Sequence, residues 1–487
     1  MRLKKITLIN FRCFQNLEVN LHPQLTVLVG ENGAGKTAIL DGIAAGLSPI
    51  LKYLSSANQR LSAKGSGIKD TDFRIESWEK RGGKERWGST DYVQIITETI
   101  PGVQWNYSHG ASEIVPAFQW DYSRGKVPSN KIGESALASY LGPILESLKT
   151  AEPKLLPVFS YYGAQRGRIE IPERLRSSKE NYSHPTSALV DALDSLSNFK
   201  EMLKWFDFEE ANELRANKGR ISEDYELSSA LKTVRHAVEI LLNSVYRNPY
   251  FNKDHKFVLT SDEDEKPLQI SQLSQGYQSM LALGMDFARR LALANSHLEY
   301  SSRPDFLGPG DLIDSLMQES LAWPLDNDIP TPTAPMWAPA IMLVDEIDLH
   351  LHPSWQQRVL NDLMRTFPLT QFIVTTHSPQ VLTTVRKENI RIIRKTEEDY
   401  VAEMPTISPL AREASDALAY IQDTNVRPPL QILEKIHEYE QLVRSGLMDS
   451  DVGREVKAEL DAAGYEIPEA DLALWQFLGQ QVGKIKP

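Results

Sequence analysis

Residues Gly30 to Thr37 read GENGAGKT, and this stretch restricts the fold more tightly than any other in the chain. The pattern is G-x-x-x-x-G-K-[ST], whose mechanics need a strand feeding in and a helix leading out. Both are predicted: the apolar run Leu25 to Val29 precedes the turn, and the helix-compatible segment Thr37 to Leu47 follows it. In that setting the backbone around Gly30, Asn32, Gly33, Gly35 and Ala38 surrounds phosphate oxygens, Lys36 reaches the β/γ-phosphates, and the Thr37 hydroxyl ligates Mg²⁺. Gly33 and Gly35 allow the backbone to come close. The expectation is a nucleotide-binding protein.

With 487 residues the chain has room for two or three domains, or for one domain carrying insertions. It is 41% hydrophobic and 24% charged, and no apolar run approaches the ~20 residues of a membrane helix. The opening MRLKKITLIN alternates apolar and polar residues, so it reads as a strand and not a signal peptide; a cytoplasmic location without membrane contact is expected. Cys13 is the single cysteine, which excludes an internal disulfide and a cysteine-based zinc site, and it is expected in the core. A net charge of −12 gives no global electrostatic case for nucleic-acid binding. Two basic clusters, Lys80 to Arg86 and Arg386 to Lys395, read as solvated surface.

Along the chain, Leu3, Ile6 and Leu8 suggest one strand and Leu17 with Val19 a second. Between them lies Arg12, which either donates charge-assisted hydrogen bonds to the nucleotide or is a surface arginine with its aromatic neighbours packed inward. Residues 52–154 read as an insertion of mixed strand and loop, with one clear strand at Tyr92 to Thr97. Leu155 to Tyr162 is a buried-strand pattern ending in Gly163-Ala164-Gln165-Arg166, where Gln165 suits a metal or water ligand. Thr186 to Asn248 is helix-rich, with apolar repeats at Leu189, Leu193 and Leu196 and again from Leu231 to Leu242. Asp262 and Asp264 have a D-x-D form but read as a solvated turn.

Ser274 and Gly276 open the helical stretch Ser279 to Asn295 and form an anion-binding helix end. The Pro-rich residues 301–339 mark a long loop. Ile341 to Val344 is an unbroken apolar run closed by Asp345, suited to hold Mg²⁺ through water, and Glu346, suited to orient an attacking water. His350 and His352 resemble an H-x-H metal pair without a suitably spaced third ligand, which favours a structural or interface role. Gln371 to Thr375 runs into Thr376-His377-Ser378-Pro379, where His377 can donate to the γ-phosphate. Beyond Glu398 the patterns are helical. There Leu472, Trp475, Phe477 and Leu478 form an apolar stripe that is either core or a partner surface.

The order of phosphate loop, strand-end glutamine, Ser-x-Gly signature, Asp-Glu strand, Asp-Leu-His turn and Thr-Thr-His-Ser-Pro resembles the ABC-type ATPase heads of the RecF, SMC and Rad50 group. That resemblance implies an α/β fold: a mainly parallel sheet core, an antiparallel N-terminal β part, a helical lobe and a C-terminal helical region. It implies a head over residues 1–400, with insertions at about 52–154, 176–262 and 301–339, and a C-terminal helical region over 401–487 for oligomer or partner contacts. ATP and Mg²⁺ are the implied cofactors, sandwiched between two heads of a homo-oligomer. Lys36 and Thr37 then match the phosphate and metal binders, Gln165 the Q-loop, Ser274 and Gly276 the signature, Asp345 and Glu346 the Walker B pair, Asp348 the D-loop and His377 the switch histidine. Arg12 matches the basic residue after the first strand. The signature departs from LSGGQ, with Gln275 for a glycine and Tyr277 before Gln278, which bears on hydrolysis rate more than on binding.

The phrases DEIDLHLHPSWQ, YYGAQR and TTHSPQVL look most like the PtuA family, the ATPase subunits of Septu and retron-linked antiphage systems. This narrower resemblance implies an HNH nuclease partner of the PtuB kind and, in a retron setting, a reverse transcriptase with its noncoding RNA and DNA. Residues after the sheet lack the separated Glu and D-x-D of a Toprim nuclease, so the chain itself is expected to be nuclease-free. The alternatives are a RecF- or SMC-like repair ATPase binding DNA across a head dimer, and a generic ATP-dependent switch.

Overall fold

The computed structural model describes residues 1–55, 61, 67–80, 84–105, 112–128, 133–150, 153–167, 182, 184–195, 199–219, 224–298, 331–425 and 428–484. They divide into two compact units, Met1–Gln422 and Asp423–Pro487. The division falls later than residue 400, because a strand at Tyr400–Glu403 pairs into the main sheet of the first unit.

Strand β1 (Leu3–Phe11) pairs antiparallel with β2 (Phe14–Asn20), and β3 (Leu25–Val29) leads into helix α1 (Lys36–Leu54). The region expected as mixed strand and loop holds the hairpin β4 (Ile75–Lys80) and β5 (Lys84–Ser89), then β6 (Tyr92–Thr99), the pair β7 (Gly102–Trp105) and β8 (Ser112–Val115), β9 (Gln119–Gly125) and helix α2 (Glu134–Ser147). β6 and β9 complete an antiparallel sheet in the order β2-β1-β6-β9.

After β10 (Val158–Tyr162) come helices α3 (Phe199–Ala216) and α4 (Ser229–Leu241), strands β11 (Tyr246–Phe251), β12 (Phe257–Ser261) and β13 (Pro267–Gln269), and helix α5 (Gln275–Ala294). The expected helix through Leu189 and Leu193 is absent. Both are buried, but a 3-10 turn ends at Leu189 and Asp191 adopts a left-handed φ of 51°, which breaks the repeat.

The central sheet adds β14 (Ala340–Val344), β15 (Thr370–Thr375), β16 (Ile390–Lys395) and β17 (Tyr400–Glu403), in the order β10-β14-β15-β3-β16-β17. All neighbours are parallel except β16 and β17. Every residue of β3, β10, β14 and β15 is buried, as continuous apolar runs require when both sheet faces are covered. Helix α1 lies between the sheets, touching β1, β6 and β9 on one side and β15 on the other. The buried Gln371 side chain accepts from Leu3 N and donates to Leu3 O and His22 O, fastening β15 to the antiparallel sheet. Parallel strands end on one edge, so the segments after β3, β10, β14 and β15 meet there.

The second unit packs helices Ile432–Arg444, Asp451–Ala462 and Glu469–Lys484 around Ile436, Tyr439, Val443, Val456, Leu460 and Trp475. The apolar stripe is divided: Trp475 is 5% exposed, whereas Phe477 is 55% exposed.

Other expectations change. Cys13 is half-buried, beside Gly35, and Arg391 is buried, donating to the carbonyls of Asn20, Glu388 and Ile390. The side chains of Lys80 to Arg86 and residues 301–330 of the Pro-rich stretch lie outside what the structure describes. Among the described residues no helix is long and apolar enough to cross a membrane.

Candidate active site

The phosphate loop is shaped by its neighbours. Gly35 caps α1 with φ 87°, and a Cβ there would lie 2.5 Å from Phe14 Cζ, so no other residue fits. No side chain caps this helix end, so its first-turn N–H groups keep their capacity for an anion. Lys36 is only 7% exposed, and its Nζ donates to Gly30 O at 2.8 Å and Glu31 O at 2.9 Å. Burial lowers its pKa, against the opposing pull of Asp345, Glu346 and Asp348. Asn32 and Gly33 are exposed at the tip, and Ala38 is buried beneath it.

At the end of β14, the Thr37 hydroxyl donates to Asp345 Oδ2 at 2.9 Å and the Thr375 hydroxyl donates to Asp345 Oδ1 at 2.7 Å. A hydroxyl beside a buried carboxylate is a hard-oxygen donor set that fits Mg²⁺. Glu346 is half-buried with a left-handed φ of 49°, and its N–H donates to Thr375 Oγ1 at 2.7 Å. The Asp348 carboxylate accepts from Thr376 Oγ1 at 2.5 Å and His377 N at 3.3 Å, which fixes the turn bearing the exposed His377 ring.

Gln165 does not continue β10. It sits exposed in a 3-10 turn, Ala164–Gly167, whose next residue, Arg166, points inward. Arg166 is 8% exposed and donates to the carbonyls of Gly163, Asp345 and Glu346. Burial lowers its pKa to about 10, so it stays protonated at neutral pH. Sequence reasoning passed over Arg166 and Thr376, each next to a residue it selected, and Thr375, two residues before His377.

Helix α5 is capped differently: the Ser274 side chain accepts from Tyr277 N at 3.5 Å, and Ser274 and Gln275 are exposed. Gly276 is pressed against the turn after Asp348; a Cβ there would lie 2.9 Å from His350 O. Tyr277 stacks edge-on between Trp355, at 4.4 Å, and Tyr246, at 5.1 Å, while Gln278 Nε2 donates to Leu273 O. The departure from LSGGQ therefore supplies packing. Further along α5, buried Asp286 accepts from Arg289 and Arg290 at 2.7 Å each and from the Tyr162 hydroxyl at 2.9 Å. Burial raises its pKa, but the two guanidiniums outweigh burial and hold it at about 2.

Arg12 pairs with Asp41 of α1 at 2.6 Å and Asp72 at 2.8 Å, so its guanidinium is already engaged by carboxylates. His352 caps the helix Pro353–Gln356 by accepting from Ser354 N, and His350 is exposed with φ 63°. Asp262 pairs with Arg247 at 3.2 Å. Among the described residues no group of three His, Cys, Asp or Glu is arranged to hold a metal.

The family model described as AAA domain matches residues 5–279. The chain is 28% identical to the Retron Vc95 probable ATPase of Vibrio cholerae serotype O1 biovar El Tor, over 94% of this chain and 86% of that protein. It is also 28% identical to the Retron Ec83 probable ATPase of Escherichia coli, over 94% of this chain and 83% of that protein. A shorter match, 41% over 61 residues, covers 12% of this chain and 9% of the Septu protein PtuA of Bacillus mycoides (strain KBAB4). Among solved structures, the SMC head domain from Thermotoga maritima aligns with 84% of this chain and 100% of its own, at 14% identity and a TM-score of 0.37. The chain belongs to the AAA domain family.

Proposed function

We propose that this chain is the ATP-hydrolysing subunit of an antiphage defence complex, which multimerises through ATP-sandwiched head dimers and governs a separate HNH nuclease. The observation that carries this reading is the similarity along 94% of the chain to two retron ATPases, joined by the local similarity to PtuA. The multimer is supported by the exposure of Ser274 and Gln275, which leaves the α5 tip accessible to a nucleotide held by a second copy.

In this reading Gly30, Asn32, Gly33, Gly35, Lys36 and Ala38 bind the phosphates of ATP, and Thr37, Asp345 and Gln165 hold Mg²⁺. The metal, when bound, neutralises phosphate charge and fixes the phosphate oxygens. Glu346 orients and deprotonates the attacking water, and His377 donates to the terminal phosphate. Ser274, Gly276 and Asp348 of a second copy close the sandwich. Arg12, held by Asp41 and Asp72, is the outer cation of the nucleotide rim. The C-terminal unit serves multimer or nuclease contacts, and its exposed Leu474 and Phe477 are the residues assigned to them.

Co-expression with the adjacent genes, followed by mass photometry, tests this. An HNH protein should co-purify, and Glu346→Gln with ATP should enrich the dimeric and higher species. Replacing Phe477 by Ser should weaken the larger assembly while ATP affinity stays unchanged. A monomer at all ATP concentrations would defeat the sandwich, and DNA-dependent dimerisation without any nuclease would favour a repair ATPase instead.

A further inference from the structure

The backbone around Glu346 is held more completely than a strand end requires. Two peptide planes flank this residue, and together they define its φ and ψ. The plane before it has its carbonyl, Asp345 O, bonded by Arg166 and its amide, Glu346 N, bonded by Thr375 Oγ1. The plane after it has its carbonyl, Glu346 O, bonded by Arg166 at 2.6 Å and its amide, Ile347 N, bonded by Thr375 O at 2.9 Å. One guanidinium thus takes both carbonyls and one threonine takes both amides. The residue they enclose has φ 49°, a region that a glutamate seldom occupies unless its surroundings impose it.

We infer that Arg166 is the positioning residue of Glu346: by fixing both flanking carbonyls it sets the left-handed backbone that aims the Glu346 carboxylate at the attacking water. The inference rests on the assignment of Glu346 as the general base. The planar, forked donor set of arginine matches two carbonyls at once, whereas a lysine ammonium is a compact charge that does not reproduce the fork. Because Arg166 directly follows Gln165 in the turn Ala164–Gly167, the clamp also makes that turn and the Asp345-Glu346 turn move as one piece.

The test uses the full-length protein as wild type, Arg166→Lys, Glu346→Gln and the double variant, with ATP affinity by calorimetry and turnover by single-turnover assay with labelled ATP. Arg166→Lys should lower turnover by about tenfold or more while KM and the ATP dissociation constant stay within about twofold, since a misaimed base affects the chemical step and not ground-state binding. In the double variant the loss should not exceed that of Glu346→Gln alone, because residues acting through one another are not additive. Losses that multiply would overturn the inference while leaving Glu346 as base. Wild-type turnover in Glu346→Gln would overturn the base assignment and this inference with it. Arg166→Gln, read by the same criteria, substitutes for the lysine variant if that one does not fold.

Discussion

The N-termini of α1 and α5, the two helix ends assigned to phosphate in the proposed function, are built on opposite plans. At α1 the helix end has no side-chain cap, Lys36 is drawn back into the loop, and Thr37 meets Asp345 of the same chain. At α5 the end is capped by its own Ser274 and stands exposed, while farther along Asp286, paired with Arg289 and Arg290 of the same helix, accepts from the Tyr162 hydroxyl and ties the helix to β10. An end that works within its own chain is assembled in place. In the proposed sandwich, the α5 end meets a second chain and stands exposed on a stiff root.

Four substitutions break or sharpen that contrast. Glu346→Gln should slow hydrolysis by about 10² to 10⁴, the contribution of a positioned base, without loss of ATP-Mg²⁺ binding in a calorimeter. Asp286→Asn attacks the root of α5: two buried guanidiniums lose their counter-charge, and thermal unfolding should report a loss of about 3 to 5 kcal/mol. The same carboxylate predicts an acid limit. Its folded pKa, about 2, lies below its ordinary value of 3.8, so its stabilisation is present above pH 4 and disappears as pH falls through 2. Lys36→Ala should weaken ATP by about 1.5 to 3 kcal/mol, or more than tenfold, because a charged donor to phosphate is lost. Ser274→Ala is the mildest for the fold, costing about 1 kcal/mol of helix stability. In a Glu346→Gln background, however, it should reduce ATP-dependent dimers seen by mass photometry. Dimers that persist unchanged would show that both ends serve the same chain.

The α1 site was legible because its parts are consecutive residues, with geometry set by local turn chemistry. Asp345 was legible too, since a fully apolar strand closed by carboxylates is what a doubly covered parallel strand needs when it delivers acid groups to the sheet edge. Thr375 was not, because its place beside Asp345 depends on the parallel register that aligns Val344 with Val374. Arg166 escaped notice for a related reason: a strand continuing to Gln165 would turn its side chain toward the site, but the 3-10 turn exposes Gln165 and buries its neighbour. The C-terminal stripe combined two faces. Leu472 and Trp475 are three residues apart and share the helix side facing Tyr439 and Leu460, while Phe477 falls on another side.

The position of β3 between β15 and β16 also bears on how the protein is made. The strand that leads into the phosphate loop has neither edge paired until residues 370–395 exist. At about 5 to 20 residues per second, a ribosome needs roughly 20 to 70 s to reach them after finishing β3. Throughout that interval Leu25 to Val29 is an apolar segment with two open edges, which invites pairing with other nascent chains. Synthesis interrupted before residue 370 therefore yields fragments prone to aggregate, and holding β3 apart until its neighbours emerge is work for a chaperone.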